Sequence, residues 1–305
     1  MSAPELSVLD VDVILRTHNR ADMLPEAVAS FFAADARGVN ARLLVVDNAS
    51  SDNTQAVLAD LQARYGEALV PLYEARPGPQ HALNAALGAV RGQIVACFDD
   101  DERIVPGWLQ AIAREFGDPA TDYIAGPVLF PQGSSLPEWL PDGFNGALGF
   151  IDHGSQRRQF APGFHGMLTQ GNCALRAKIF EEFGPYPDCF NTAEDRWLNQ
   201  WLTDQGKRGF YCPDFGVTHL LQPARVNRDY FRQWARREGR DLATCDTLLS
   251  RPNMLAQRWY WRKIAGCAMR RLVGAGTSAE KFRDELELRV AASYAATCLG
   301  RRAAA

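Results

Sequence analysis

A chain of 305 residues, 47% hydrophobic and 23% charged, has apolar material for one large α/β domain with an appendage or for two smaller domains. Its seven cysteines are scattered, none in a CxxC pair, which argues for reduced thiols rather than a disulfide scaffold. The start, MSAPELSVLDVDVIL, lacks the basic residues of a secretory signal, and no window has the length and apolarity of a spanning helix, so a cytoplasmic protein is expected.

The net charge of −3 conceals an asymmetry. Residues 1–222 carry 16 basic and 28 acidic side chains, whereas residues 223–305 carry 17 and 8. The expected organisation is an acidic body, 1–222, and a basic, mainly helical extension, 223–305, binding different things.

VDVILRTHNR at 11–20 begins as an apolar strand and ends polar. LPEAVASFFAA reads as a helix with Pro25 in its first turn, and ARLLVVDNASSDNTQAVLADL as strand, turn and helix, capped by Asn53 or Thr54. HALNAALGAV predicts a short helix and GQIVACFDDD a buried strand. This alternation predicts a mostly parallel sheet with sites at the carboxyl ends of its strands. LFPQGSSLPEWLPDGFNGALGF reads as loops or a short hairpin, and CALRAKIFEEFG as a helix stopped by glycine. AEDRWLNQWLTDQG predicts a helix with an apolar stripe of Trp197, Leu198, Trp201 and Leu202, and the rest is helical and basic.

The strand ends concentrate polar chemistry: Thr17, Asn19 and Arg20 at the first, Asp47, Asn48, Ser50 and Asp52 at the second, Asp99, Asp100 and Asp101 at the third. Were the third strand to continue through its aspartates, Asp99 and Asp101 would share one side and Asp100 would face the other. Two carboxylates on one side suit Mg²⁺ or Mn²⁺, hard cations that prefer oxygen; a solvated acidic turn is the competing reading. Neither a Walker loop nor a GxGxxG helix start is present, which argues against P-loop kinases and Rossmann dehydrogenases. No nucleic-acid-binding module is recognisable, so no nucleic-acid partner is expected.

Five segments in order, VDVILRTHNRADMLPEAVASF, LLVVDNASSDNT, ALNAALGAVRGQIVACFDDDERIVPGWL, QGNCALRAKIFEEFGPYP and AEDRWLNQWL, resemble the signatures of family 2 glycosyltransferases. The resemblance implies a GT-A fold, a Rossmann-like nucleotide-sugar-binding domain, and inverting transfer from a nucleotide-diphosphate sugar, UDP-sugar favoured. It implies nucleotide-sugar contacts from Thr17, Asn19, Arg20, Asp47, Asp99 and Asp100, with Arg76 near the diphosphate. It assigns Mn²⁺ or Mg²⁺ to Asp101 with Asp99, completed by His219 after the last core strand. Asp195 matches the catalytic base and Glu194 its orienting neighbour, where a hydroxyl must lose a proton as it attacks. The alternative for that pair is an acidic helix start. His165, Gly171, Asn172 and Trp197 fall where donor-sugar or acceptor contacts are expected.

The extension, with NRDYFRQWARREGRDLA and AQRWYWRKIAGCAMRRLVGAG, resembles that of bacterial surface-polysaccharide enzymes and implies a glycan or lipid-linked acceptor. A helical wheel puts Trp261, Ile264, Ala265, Ala268 and Leu272 on one face, for docking on protein, on an anionic membrane's inner face, or in a homo-oligomer. The rival functions are a sugar-phosphate nucleotidyltransferase and a non-catalytic nucleotide-sugar-binding or scaffold protein.

Overall fold

The computed structural model describes residues 8–304 except 162–163, 165, 167, 189–192 and 250–253. Two compact units are present: Met1–Pro131 with Ile151–Cys189 and Glu194–Leu220, and Gln132–Phe150 with Phe190–Ala193 and Leu221–Ala305.

In the first unit, β1 (Leu9–Thr17), β2 (Val39–Asn48), β3 (Leu69–Glu74) and β4 (Ile94–Asp99) alternate with α1 (Leu24–Phe32), α2 (Thr54–Tyr65) and α3 (Pro79–Leu87). Next come β5 (Glu102–Ile104), α4 (Trp108–Phe116), β6 (Tyr123–Ala125), β7 (Val128–Leu129), β8 (Arg158–Gln159), β9 (Asn172–Arg176), α5 (Lys178–Phe183), α6 (Glu194–Asp204), β10 (Gly209–Tyr211) and β11 (Val217–His219). The main sheet runs β3-β2-β1-β4-β9-β6-β10-β8, and a small sheet runs β5-β11-β7. β3, β2, β1 and β4 are parallel, while β9 is antiparallel to both neighbours.

The central strands are buried on both faces, which is why they read as continuous apolar runs. Val13, Leu15, Leu43 and Val45 join a core with α1 and α4; Ile14, Leu44, Val46, Val95 and Cys97 join another with α3 and α6. Polar side chains accumulate where those runs stop.

Two local expectations change, and a third, loops or a short hairpin, resolves to loops. CALR is strand β9, not helix; Cys173, Ala174 and Leu175 are fully buried between two strands, and the helix starts only at Lys178. The Gly- and Pro-rich stretch makes β7 and a short 3₁₀ turn, Asn145–Leu148, and no hairpin among its described residues. α2 is capped by neither Asn53 nor Thr54: Asp52 Oδ1 accepts the Thr54 backbone N–H at 3.0 Å and its hydroxyl at 2.5 Å.

The second unit is built on α7 (Arg228–Leu248), α8 (Arg258–Leu272) and α9 (Ser278–Ala304). Asn227 caps α7, accepting the Tyr230 N–H at 2.9 Å. Gly239 lets α7 approach α9, since a Cβ there would meet the Val290 carbonyl oxygen at 2.2 Å. On α8 the buried side chains are Tyr260 and Cys267, whereas Trp261 and Leu272 are exposed. The face expected to dock on protein is therefore the outer one. Two of its basic residues pair with α9, Arg270 with Asp284 at 2.6 Å and Lys263 with Glu287 at 2.8 Å.

Candidate active site

Parallel register sets the site. Thr17 lies opposite Asp47, and Arg16 opposite Asp99. The β1–α1 loop is tied to the β2–α2 loop by Asn19, whose φ of 52° is left-handed, a conformation asparagine tolerates. Its Oδ1 accepts the Ser51 N–H at 2.7 Å and the Asp52 N–H at 3.2 Å, and its own N–H donates to Ser50 Oγ at 2.9 Å. Asp47 is buried; its Oδ1 accepts the Ser50 N–H at 3.1 Å, and its Oδ2 has no hydrogen-bond partner.

The strand does not continue through the aspartates. β4 ends at Asp99, and Asp100 and Asp101 form a turn before β5. The expected alternation therefore fails: Asp100 and Asp101 are both buried and share Arg20, whose Nη1 lies 2.6 Å from Asp100 Oδ1 and 2.7 Å from Asp101 Oδ2. Asp99 is more exposed and pairs with Arg16 Nη2 at 2.9 Å.

β11 runs antiparallel to β5, placing His219 opposite Glu102, and the Leu220 N–H donates to the Asp101 carbonyl at 2.8 Å. His219 Nε2 is thereby held 3.4 Å from Asp101 Oδ1. Burial alone would raise the Asp101 carboxyl, but His219 and Arg20 outweigh it and hold it well below the usual range. Burial pushes Asp100 up to about 6 against the pull of Arg20.

Among the described residues no three His, Cys, Asp or Glu side chains group to enclose a metal. The Asp101–His219 pair nonetheless fits a divalent ion that also binds phosphate. Ligand bonds of about 2.1 Å at right angles separate two donors by about 3 Å, and Mg²⁺ commonly takes one or two carboxylates plus phosphate oxygens. The 3.4 Å separation is close to that edge.

Glu194 and Asp195 open α6. Arg16 Nη1 lies 3.3 Å from Glu194 Oε1, so one guanidinium joins the end of β4 to the start of α6. Glu194 is buried, and its Oε2 has no hydrogen-bond partner. Asp195 Oδ1 accepts the Gln170 N–H at 2.9 Å, and Asn199 spans the Leu168 peptide, fixing that loop to α6. Burial first, then the charge of Glu194, pushes the Asp195 carboxyl up to about 7. Such a group takes or gives a proton near neutrality.

At Gly171 the same loop also passes close to Glu102 and Asp99. A Cβ there would lie 2.8 Å from Glu102 Oε1 and 3.2 Å from Asp99 Oδ2. Asn172 is corrected as a sugar contact: it is fully buried, accepting from Trp108 Nε1 at 2.9 Å and donating to the Pro127 and Phe215 carbonyls. Arg76 is not brought to the aspartates; it is largely exposed beside β3 and bound to Glu74. Trp197 is half-buried on α6, and His165 lies outside the described residues.

Arg16, Gln170 and Glu102 were missed as site residues. Arg16 carries a signal: a cation inside the apolar run VDVILRT requires buried carboxylates nearby. Glu102 stands in the acidic run itself, fully buried, with its Oε2 accepting the Asp99 N–H at 2.8 Å.

The sequence pattern described as glycosyl transferase family 2 matches residues 12–184. The succinoglycan biosynthesis protein ExoO of Rhizobium meliloti is 35% identical over 114 residues, 36% of this chain and 31% of that protein. An uncharacterized glycosyltransferase of Nostoc sp., alr2836, is 31% identical over 108 residues, 35% of this chain and 33% of that protein. The chain thus matches about a third of the length of these relatives. The mannosyltransferase PcManGT of Pyrobaculum calidifontis, solved with GDP-Man and Mn²⁺, superposes with a TM-score of 0.58 at 18% identity, covering 97% of this chain and 77% of that one. Residues 1–349 of S. aureus TarS with UDP-GlcNAc give 0.54 at 16%, covering 78% and 71%. The fold is GT-A, and the chain belongs to glycosyl transferase family 2.

Proposed function

We propose that the protein transfers a sugar from a nucleotide-diphosphate sugar to a hydroxyl of a glycan or lipid-linked acceptor, with inversion. The observation that carries the reading is Arg16, which joins Asp99 to the Glu194–Asp195 pair. It puts the end of the nucleotide-side strand beside a carboxylate with neutral-range proton affinity. Asp47 Oδ2, buried without a partner, would accept an N–H of the base, and a UDP- or GDP-sugar offers one. Asp99 is the proposed ribose contact, at the more open end of the strand.

Asp101 and His219 would hold Mn²⁺ or Mg²⁺ with the diphosphate oxygens, and the bound ion would supply positive charge to the departing diphosphate. Arg20 adds a cation at the same turn. Asp195 takes the acceptor hydroxyl's proton on Oδ2 while the Gln170 N–H holds Oδ1. Glu194, fixed by Arg16, keeps that carboxyl's proton affinity high and orients it. Matches to polysaccharide biosynthesis proteins support a glycan acceptor. None of the described helices is long and apolar enough to cross a membrane, so proposed contact with a bilayer is peripheral, through the outer face of α8.

The test is a screen of nucleotide sugars with Mn²⁺ or Mg²⁺, measuring nucleoside diphosphate release with and without glycan acceptor. Release that requires Asp195 supports transfer. Pyrophosphate formed from a sugar phosphate and a nucleoside triphosphate, with no diphosphate release from any donor, would replace this reading with nucleotidyl transfer.

A further inference from the structure

The helical unit contains a cavity of about 260 Å³ that the chemistry above does not use. It is lined by Phe144, Trp234, Trp259 and Tyr260, with Glu238, Glu287 and Lys263 among the polar groups. We propose that this cavity binds one neutral sugar ring of a glycan, a subsite for the acceptor chain that rests on the glycan-acceptor reading for its substrate class.

Size is the first argument. Sites for drug-sized ligands occupy about 300–1,000 Å³. At 260 Å³ this cavity suits a single ring and not a nucleotide. Shape of the walls is the second. Phe144 and Trp234 meet edge to face at 5.8 Å, and Trp259 and Tyr260 at 6.0 Å. Aromatic faces of this kind pack against the C–H faces of a sugar, while the hydroxyls around its rim need donors and acceptors.

The polar groups decide between ligands. Tyr260 is 4% exposed, and its hydroxyl is buried without a hydrogen-bond partner. Leaving it so costs free energy that a ligand hydroxyl recovers. The neighbouring hydroxyl of Tyr294 is occupied, bound to Asp246 at 2.7 Å and to the Met254 N–H at 3.0 Å, so it does not satisfy Tyr260. Lys263 is neutralised by Glu287 at 2.8 Å. With its one lysine already engaged, the lining is a poor receptor for phosphate and lipid headgroup anions. A quaternary ammonium would suit the aromatic rings and the acid, yet it offers nothing to the Tyr260 hydroxyl. A neutral polyol satisfies all three features.

The test uses the full chain in EDTA without nucleotide. Saturation-transfer NMR is recorded with methyl glucoside, methyl galactoside, methyl mannoside and choline chloride, each into the tens of millimolar. At least one glycoside should receive saturation. Its affinity should fall about tenfold or more in Trp259→Ala, a loss of about 1.4 kcal/mol, and also in Tyr260→Phe. Trp259 is 56% exposed, and Tyr260→Phe removes only an unpartnered hydroxyl, so both variants should keep the wild-type melting temperature. Binding should be unchanged in Asp195→Asn, which separates this cavity from the proposed transfer site. Glycoside binding that persists while no nucleotide sugar is turned over would leave the cavity assigned and remove the transferase reading. No glycoside signal, a signal from choline alone, or a signal indifferent to both aromatic variants overturns the proposal.

Discussion

Arg16 and Glu194 are 178 residues apart in the chain and meet at 3.3 Å, Nη1 to Oε1, with Asp99 on the other arm of the same guanidinium. Both side chains are largely withdrawn from water. Burial opposes the arginine's charge, but Asp99, Glu194 and Asp195 outweigh it and raise its proton affinity. Removing a buried partner leaves uncompensated charge and costs about 3–5 kcal/mol. Arg16→Met should therefore lower the unfolding free energy read from urea titration by that order, and low pH, which protonates the stranded carboxyls, should restore part of it. A variant as stable as wild type at pH 8 would show that the carboxylates find other partners.

Asp195 separates chemistry from binding. Asp195→Asn removes the proton acceptor at constant size, and transfer should fall roughly 10²- to 10⁴-fold with donor affinity near wild type. The sign with pH follows from the raised carboxyl. The basic form dominates only above about 7, so wild-type turnover should climb with pH through that value, as a property of the Glu194–Asp195 pair. Stability carries the opposite slope: the contribution from this raised group is present below its unfolded value and is lost as pH rises through about 7. Steady-state rates and thermal melts from pH 5 to pH 9 give both. A flat rate profile in wild type would dismiss Asp195 as base.

The shared arginine alters what the aspartate variants should do. Asp101→Asn should abolish Mn²⁺-dependent nucleoside diphosphate binding in titration calorimetry, and His219→Ala should weaken it. Asp100→Asn should weaken it less, acting through Arg20 rather than as a ligand. Equal, Mn²⁺-independent binding in wild type and Asp101→Asn would sink the metal assignment.

Legibility followed burial. Strands β1, β2 and β4 announced themselves as apolar runs, and their polar ends were visible because charge has no other reason to stand there. β9 was hidden: ALRAK within it and just after it is a run of helix formers, and only pairing with β4 and β6 makes Asn172–Arg176 a strand. The acidic run was legible as a site but not as a turn, since the departure of Asp100 and Asp101 from strand geometry depends on Arg20 and on β11, over a hundred residues downstream. Arg76 resembled a diphosphate contact in sequence, yet Glu74, two residues away, holds it.

Asn172 offers a clean separation of structure from recognition. Its amide satisfies Trp108, Pro127 and Phe215 at once, inside the first unit. Asn172→Leu would strand a buried N–H and two carbonyls, each worth about 1–3 kcal/mol, so a loss above about 3 kcal/mol is expected. Denaturant titration should record it, and surviving folded protein should keep a wild-type donor KM. A stable variant with a raised KM would return Asn172 to the ligand.

The outer face of α8 carries the last prediction. Trp261, Met269, Leu272 and Val273 are each more than half exposed. The basic residues beside them differ in availability: Lys263 and Arg270 are engaged by Glu287 and Asp284. Adsorption to a bilayer should thus rest on the apolar side chains, with Arg262 and other basic residues adding a salt-sensitive part. Reversing Lys263 or Arg270 would confound membrane binding with loss of the α8–α9 ion pairs. Replacing Met269 and Leu272 by Ser avoids those pairs and spares the Trp261 Nε1 bond to the Leu255 carbonyl, and should leave the melting temperature within a degree or two. In vesicle sedimentation the wild type should bind anionic vesicles more than neutral ones, and the double variant should lose most of both. Binding unaffected by the double variant, or none in wild type at low salt, would exclude this face as the membrane contact and leave the transfer chemistry of the first unit untouched.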